Sequence, residues 1–235
     1  MTFENEFERG IYEAAEIKKS GRWVAMNQNI KNLANNTIEH EVSRVQVLAT
    51  ICFQNFSEYL ALKAAYEAES EPSLLAWRAR NLLEIAVWAI YCSASKENAL
   101  EFYEEAHKDV EDIYKSFIKW EETTPQNNDW LKPIVNAKQD ISQKAVSEGI
   151  ESLGGGYKRV SNVAQDCGFG EHYKTSYKML SKFCHPTAML VMSEPDAEKE
   201  RRQKDLFYNQ GCLYFVGGFT ELEKCLSVMR QGNLT

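Results

Sequence analysis

A chain of 235 residues with 44% apolar and 26% charged side chains has the composition of an ordinary globular protein, long enough to bury a large core. Its 27 basic and 34 acidic residues leave a net charge of −7, so the whole molecule is repelled by phosphate backbones and anionic membranes, and a nucleic-acid contact requires a local basic patch. Five prolines, twelve glycines and few alternating runs of Val, Ile and Thr argue against strands and predict an all-α chain.

Taken in order, Glu4 to Lys19 reads as a short amphipathic helix stopped near Ser20 and Gly21, and Arg22 to Ala34 as a second. This N-terminal stretch is acidic where a signal peptide needs a basic start and an apolar core, so no export signal is expected. Asn36 and Thr37 offer a cap, with Glu39 and Glu41 in the first turn of a long helix. Ile38, Val42, Val45, Leu48, Cys52, Phe56 and Tyr59 form its apolar stripe, and it runs to about Ala68.

Glu71 to Ala94 is the expected central helix. Pro72 suits a first turn, and from Leu82 to Cys92 the only charged side chain is Glu84, which leaves no face for water. Arg80 and Glu84, four residues apart, share a face with Trp77, Trp88 and Tyr91, and Asn81 adds an amide beside them. Charges in so apolar a helix require partners from other helices.

Beyond a turn at Ser93 to Lys96, the spacing of Tyr103, Ala106, Val110, Ile113, Phe117 and Trp120 predicts an antiparallel bundle helix packed through that stripe. Glu121 to Asp129 reads as a protease-sensitive loop, and Trp130 to Leu153 as a helix capped by Asp129 and ended by Gly154, Gly155 and Gly156. Tyr157 to Asp166 is a short helix, and Gly168 and Gly170 break the chain again. His172 to Cys184 is a helix cut at His185-Pro186, because a residue before proline is pushed out of the helical region. Ser193 is the expected cap of a last helix from Pro195 to about Arg230, whose glycines permit close approach by another helix. The expected whole is one helical domain over 1–235, a bundle of antiparallel long helices around the central one. Residues 1–36 form an N-terminal extension, 37–121 the core helices and 130–235 the helices closing over them.

The second constellation lies in HYKTSYKMLSKFCHP. Tyr177, Ser181 and His185 recur at steps of four on one face, and Lys174, Lys178 and Lys182 form a neighbouring stripe. One reading brings Tyr177, Ser181 and His185 across a cleft to Arg80, Asn81 and Glu84, as a polar cluster for a small anionic ligand. The other makes them polar groups satisfied in helix packing. The lysine stripe, with Lys158 and Arg159, is suited to phosphate or RNA, with Tyr157, Tyr173 and Tyr177 for stacking; it is equally the wet side of an amphipathic helix. Ser181 lacks the sharp turn of a hydrolytic nucleophile. Glu104-x-x-His107 is half of a di-iron motif without its second half, beside an exposed acidic face, and His40 reads as surface; no metal and no cofactor is expected. The six cysteines have no C-x-x-C spacing and read as buried reduced thiols. The longest uncharged run near the C-terminus, Leu206 to Thr220, is shorter than the ~18 apolar residues of a membrane span. No membrane contact and a cytoplasmic location are therefore expected, with a homodimer through the glycine-containing final helix as one partner expectation.

Arg80-x-x-x-Glu84 in a central apolar helix, followed by Tyr177-x-x-x-Ser181-x-x-x-His185-Pro186, resembles an uncharacterised bacterial family of all-helical proteins, a domain of unknown function. The resemblance implies an α-helical bundle with a shared polar pocket and no known reaction. A more distant likeness is to the HEPN ribonucleases of toxin–antitoxin and phage-defence systems, which use an arginine with a histidine a few residues beyond it. No arginine here is followed by a histidine at that spacing, so such an activity requires convergence from separate helices. It would make His185 the general acid or base, Arg80 the stabiliser of phosphorane charge, and RNA the substrate.

Overall fold

The computed structural model describes residues 5–36, 42–123, 131–147, 157–185, 187–194 and 196–232. Their helices, in chain order, are α1 (Glu6–Lys19), α2 (Arg22–Asn36), α3 (Val42–Glu67), α4 (Pro72–Ala94), α5 (Lys96–Thr123), α6 (Leu131–Ser147), α7 (Val160–Asp166), α8 (Gly170–Cys184), α9 (Ala188–Val191) and α10 (Ala197–Gly232). No strand occurs among the described residues, and the all-α expectation holds.

Local chemistry sets the ends of these helices. Asn5 Oδ1 accepts the Glu8 amide at 3.0 Å and caps α1, with Glu6 and Glu8 in its first turn and Lys18 and Lys19 in its last, each sign opposite to the helix dipole. Gly21, at φ +76°, then turns the chain into α2. Gly168, at φ +83°, makes the corresponding turn between α7 and α8, whereas Gly170 begins α8 and does not break the chain. Asp196, not Ser193, caps α10: its Oδ1 accepts the amides of Glu198 and Lys199, both at 3.0 Å. Ser193 instead donates its hydroxyl back to the Met189 carbonyl. Asn36, expected to help cap the long helix, is instead the last residue of α2, and Thr37 with Glu39 and Glu41, His40, the loop up to Asp129 beyond Thr123, and Gly154 to Gly156 lie outside the described residues.

α4 is central, as its apolar sequence predicts. Helices α3, α5, α7, α8 and α10 all pack on it, and no residue from Asn81 to Ser93 is exposed. Its principal neighbour is α10, which also lies along α3. Tyr59 stacks on Phe215 at 4.2 Å and Tyr66 on Tyr208 at 4.1 Å. A seven-residue step forward on α3 thus matches the same step backward on α10, so the two are antiparallel with two turns between contacts. On α2 the order reverses. Arg22 pairs with Glu223 at 2.5 Å and Asn29 with Arg230 at 2.8 Å, so α2 and α10 run parallel. One apolar cluster joins residues of α1 to α5, α7, α8 and α10.

Two expectations about packing faces are corrected. Ile113, Phe117 and Trp120 on α5 are about half exposed, and Ala106 is exposed. The inward face there runs through His107, at 9% exposure, whose ring lies edge-on to Tyr103 at 5.0 Å. α5 packs against α3, α4 and α6, yet from Ile113 to Trp120 the predicted stripe stays largely open to solvent. His107 is therefore not beside an exposed acidic face. The glycines of α10 likewise serve the fold's interior: a Cβ on Gly211 would meet Leu62 Cδ2 at 2.2 Å, and one on Gly218 would lie 3.2 Å from the Ala86 Cα. Two of the three glycines expected to form a dimer surface are thus consumed by α3 and α4.

Gly217 is exposed on the same helix, and a Cβ there would meet nothing within 4 Å. Gly217→Ala should raise stability by up to about 1 kcal/mol through helix propensity. Gly211→Val should lower it by about 1–3 kcal/mol or more through overpacking against Leu62, both read from urea denaturation midpoints.

Candidate functional site

Arg80 lies where α4 passes beneath α8. Its Nε donates to Glu84 Oε1 at 3.1 Å and its Nη2 donates to the Tyr177 hydroxyl at 2.7 Å. The guanidinium carbon also sits 4.5 Å from the centroid of the Tyr177 ring, and Tyr173 stacks on that ring at 5.3 Å. The two side chains of the ion pair are 21% and 31% exposed, so the pair is only partly desolvated. Desolvation works against the Arg80 charge, but Glu84 and Tyr177 outweigh it and hold its pKa above the ordinary value. Burial, with Glu84 near, pushes the Tyr173 hydroxyl well up, so it stays protonated.

The neighbouring residues of α4 face another way. Arg78 Nη1 donates to both carboxylate oxygens of Glu58 on α3, at 3.1 and 3.0 Å, and its guanidinium lies over Trp77 at 4.6 Å. Asn81 Nδ2 donates to the same carboxylate at 3.3 Å. Asn81 therefore belongs to the Glu58 site and not beside Arg80, because Arg78 and Asn81, three residues apart, share a face, whereas adjacent residues such as Arg80 and Asn81 do not. Glu58 and Arg78 are the pair that sequence reasoning missed. The signal was present: each is a charge within an apolar run, as Arg80 and Glu84 are.

α8 supplies less than expected. Tyr177 reaches Arg80, but the Ser181 hydroxyl is buried without a hydrogen-bond partner among the described residues. His185 ends α8 with an extended backbone, φ −119° and ψ 150°, as a residue before proline should. Its side chain is exposed and is absent from the lining of the cleft at Arg80. The expectation that the imidazole meets Arg80 and Glu84 is thus corrected: α8 stops at Cys184, and the extended backbone at His185 carries its side chain off the helical face that holds Tyr177. Lys182 is exposed and likewise outside that lining.

The cleft itself, about 700 Å³, opens between α4, α7 and α8. Among the described residues, Arg80, Lys158, Arg159, Lys174 and Lys178 line it, against two carboxylates, Glu84 and Glu171. Lys158 is already engaged. Its Nζ donates to Glu101 at 2.5 Å and to the Tyr91 hydroxyl, and its backbone amide donates to Glu105 at 2.6 Å. The adjacent Tyr157 hydroxyl donates to Asp112 at 2.6 Å. A ladder of acids on α5 thereby fastens the segment that carries Arg159 into the cleft wall. Lys174 reaches Glu171 at a loose 3.9 Å, and Arg159, Lys174 and Lys178 are exposed.

Elsewhere the chemistry is quiet. All six cysteines are free, and burial pushes the Cys52 and Cys212 thiols up to about 12, which keeps them protonated at neutral pH. Among the described residues no group of three potential metal ligands converges, and no helix is long and apolar enough to cross a membrane.

An all-helical bundle with a cation-lined cleft beside its central helix is the class that these features define. The chain belongs to the family of unknown function DUF5677, whose model matches residues 73–199, more than half of the sequence and nearly all of α4 together with α7 and α8. No curated protein and no solved structure matches it.

The clamp on Lys158 has a defined pH dependence. Lys158 and Tyr91 hold the Glu101 carboxyl below its ordinary value, so its contribution to stability is present above about 4.5 and is lost as pH falls through the lowered value. Wild type should melt above Glu101→Gln at pH 7, and the difference should shrink as the pH is taken below the ordinary carboxylate range, as followed by circular dichroism.

Proposed function

We propose that this chain is a single-domain cytoplasmic binding protein for a small anionic ligand, held in the cleft between α4, α7 and α8. The carrying observation is that five cationic side chains line one cleft of a protein whose net charge is −7. Clustered cations with low-dielectric walls raise the local concentration of anions. Arg80 offers a guanidinium already oriented by Glu84 and Tyr177, so little rotamer entropy opposes its use. Arg159, Lys174 and Lys178 at the rim supply exposed charges that can close on a phosphate or carboxylate. A ribonuclease reading finds less support, since His185 stands outside this lining.

Calorimetric titration with pyrophosphate tests the proposal. Wild type should bind, and Lys174→Gln with Lys178→Gln should weaken binding by about tenfold, roughly 1.4 kcal/mol. Lys182→Gln, which removes one positive charge of the same helix outside the cleft, should change nothing. Equal binding by all of them, or none by wild type, rules the reading out, and RNA cleavage that is lost in both Arg80→Ala and His185→Ala would put the ribonuclease in its place.

A further inference from the structure

Resting on that reading, we infer that the cleft selects a non-aromatic, phosphoryl-rich ligand, such as a polyphosphate or a phosphorylated polyol, and does not read a nucleobase. A site that recognises nucleotides through the base needs an open aromatic face or a dry slot for the ring. Among the described residues the cleft has two aromatic side chains, Tyr173 and Tyr177. Neither ring is at liberty. Tyr173 is 5% exposed and stacks on Tyr177, while Tyr177 carries the Arg80 guanidinium over its ring and accepts a hydrogen bond from the same arginine at its hydroxyl. Turning Tyr177 to receive a base would break the hydrogen bond and the cation–π contact that orient Arg80, the deepest cation of the site.

Tyr157, the third tyrosine of this region, is absent from the lining, and its hydroxyl is fixed to Asp112 on α5. The remainder of the wall is polar and hydrogen-bonding: Ser161, Asn162 and Gln165 on α7 stand exposed beside the cations. Such groups suit hydroxyls and phosphoryl oxygens, each of which accepts from an amide or hydroxyl, and they give an aromatic base nothing to stack on. The single apolar lining residue that α7 adds is Val160.

The experiment is a matched titration of the full chain with tripolyphosphate and with ATP, which carry the same three phosphates with and without a nucleoside. The expected result is that the two bind within about threefold of each other, the nucleoside adding nothing. Base stacking would add a factor of roughly five to a hundred and fifty, so ATP binding about fivefold or more tighter than tripolyphosphate overturns the inference while leaving anion binding in place. Absence of binding by both overturns the inference together with the reading beneath it. Tyr177→Leu adds a second readout: it should weaken both probes by the same factor, through Arg80, whereas a selective loss of ATP affinity would show that the ring had been a base platform.

Discussion

Enclosure of α4 is the constraint on which the rest depends. With five helices packed around it, the helix has no wet face in its second half, and each of its charges must find a partner close by. Arg78 is answered across α3 by Glu58, and Arg80 by Glu84 one turn on and by Tyr177 on α8. These pairs are partly open to solvent, so their desolvation cost is modest while their geometry is fixed. The charged positions thereby set which neighbour lies on which side, and Arg80 is left at a flank where α4 borders the cation-lined cleft.

Around that cleft the charge is divided between two roles. The acids of α5 neutralise Lys158 and anchor the chain entering α7, which turns one potential ligand-binding cation into a structural one. Arg159, Lys174 and Lys178 keep their charge facing solvent. In an acidic protein this separation matters: the surface as a whole disfavours long polyanions, whereas a short one that fits within the cleft meets mostly positive charge. The aromatic residues near the site are occupied in orienting Arg80, so the same contacts that make the guanidinium rigid remove a surface on which a ring would stack.

The helices and most of their limits were legible because they rest on near-neighbour effects. Gly21 at the end of α1, Pro72 in a first turn and His185 before Pro186 act over one or two residues. The burial of α4 was legible too, since a helix apolar all round has one stable place. What misled was facing: the α5 stripe is apolar at bundle spacing, yet beyond the reach of α3 and α4 much of it lies open, and the α10 glycines that suggested a partner chain are filled by Leu62 and Ala86 of the chain itself.

By itself the sequence determined an all-helical chain, a buried central helix and an Arg80–Glu84 pair on it that requires a third group, because periodicity and four-residue spacing are properties of one helix. Only the tertiary structure decided that Tyr177 and not His185 is that group, that Asn81 turns to Glu58, and that Lys158 is tied down while Lys174 and Lys178 face a cleft. Those outcomes depend on the angle and offset at which α8 and α3 cross α4, which sum many weak packing contacts over residues far apart in the chain.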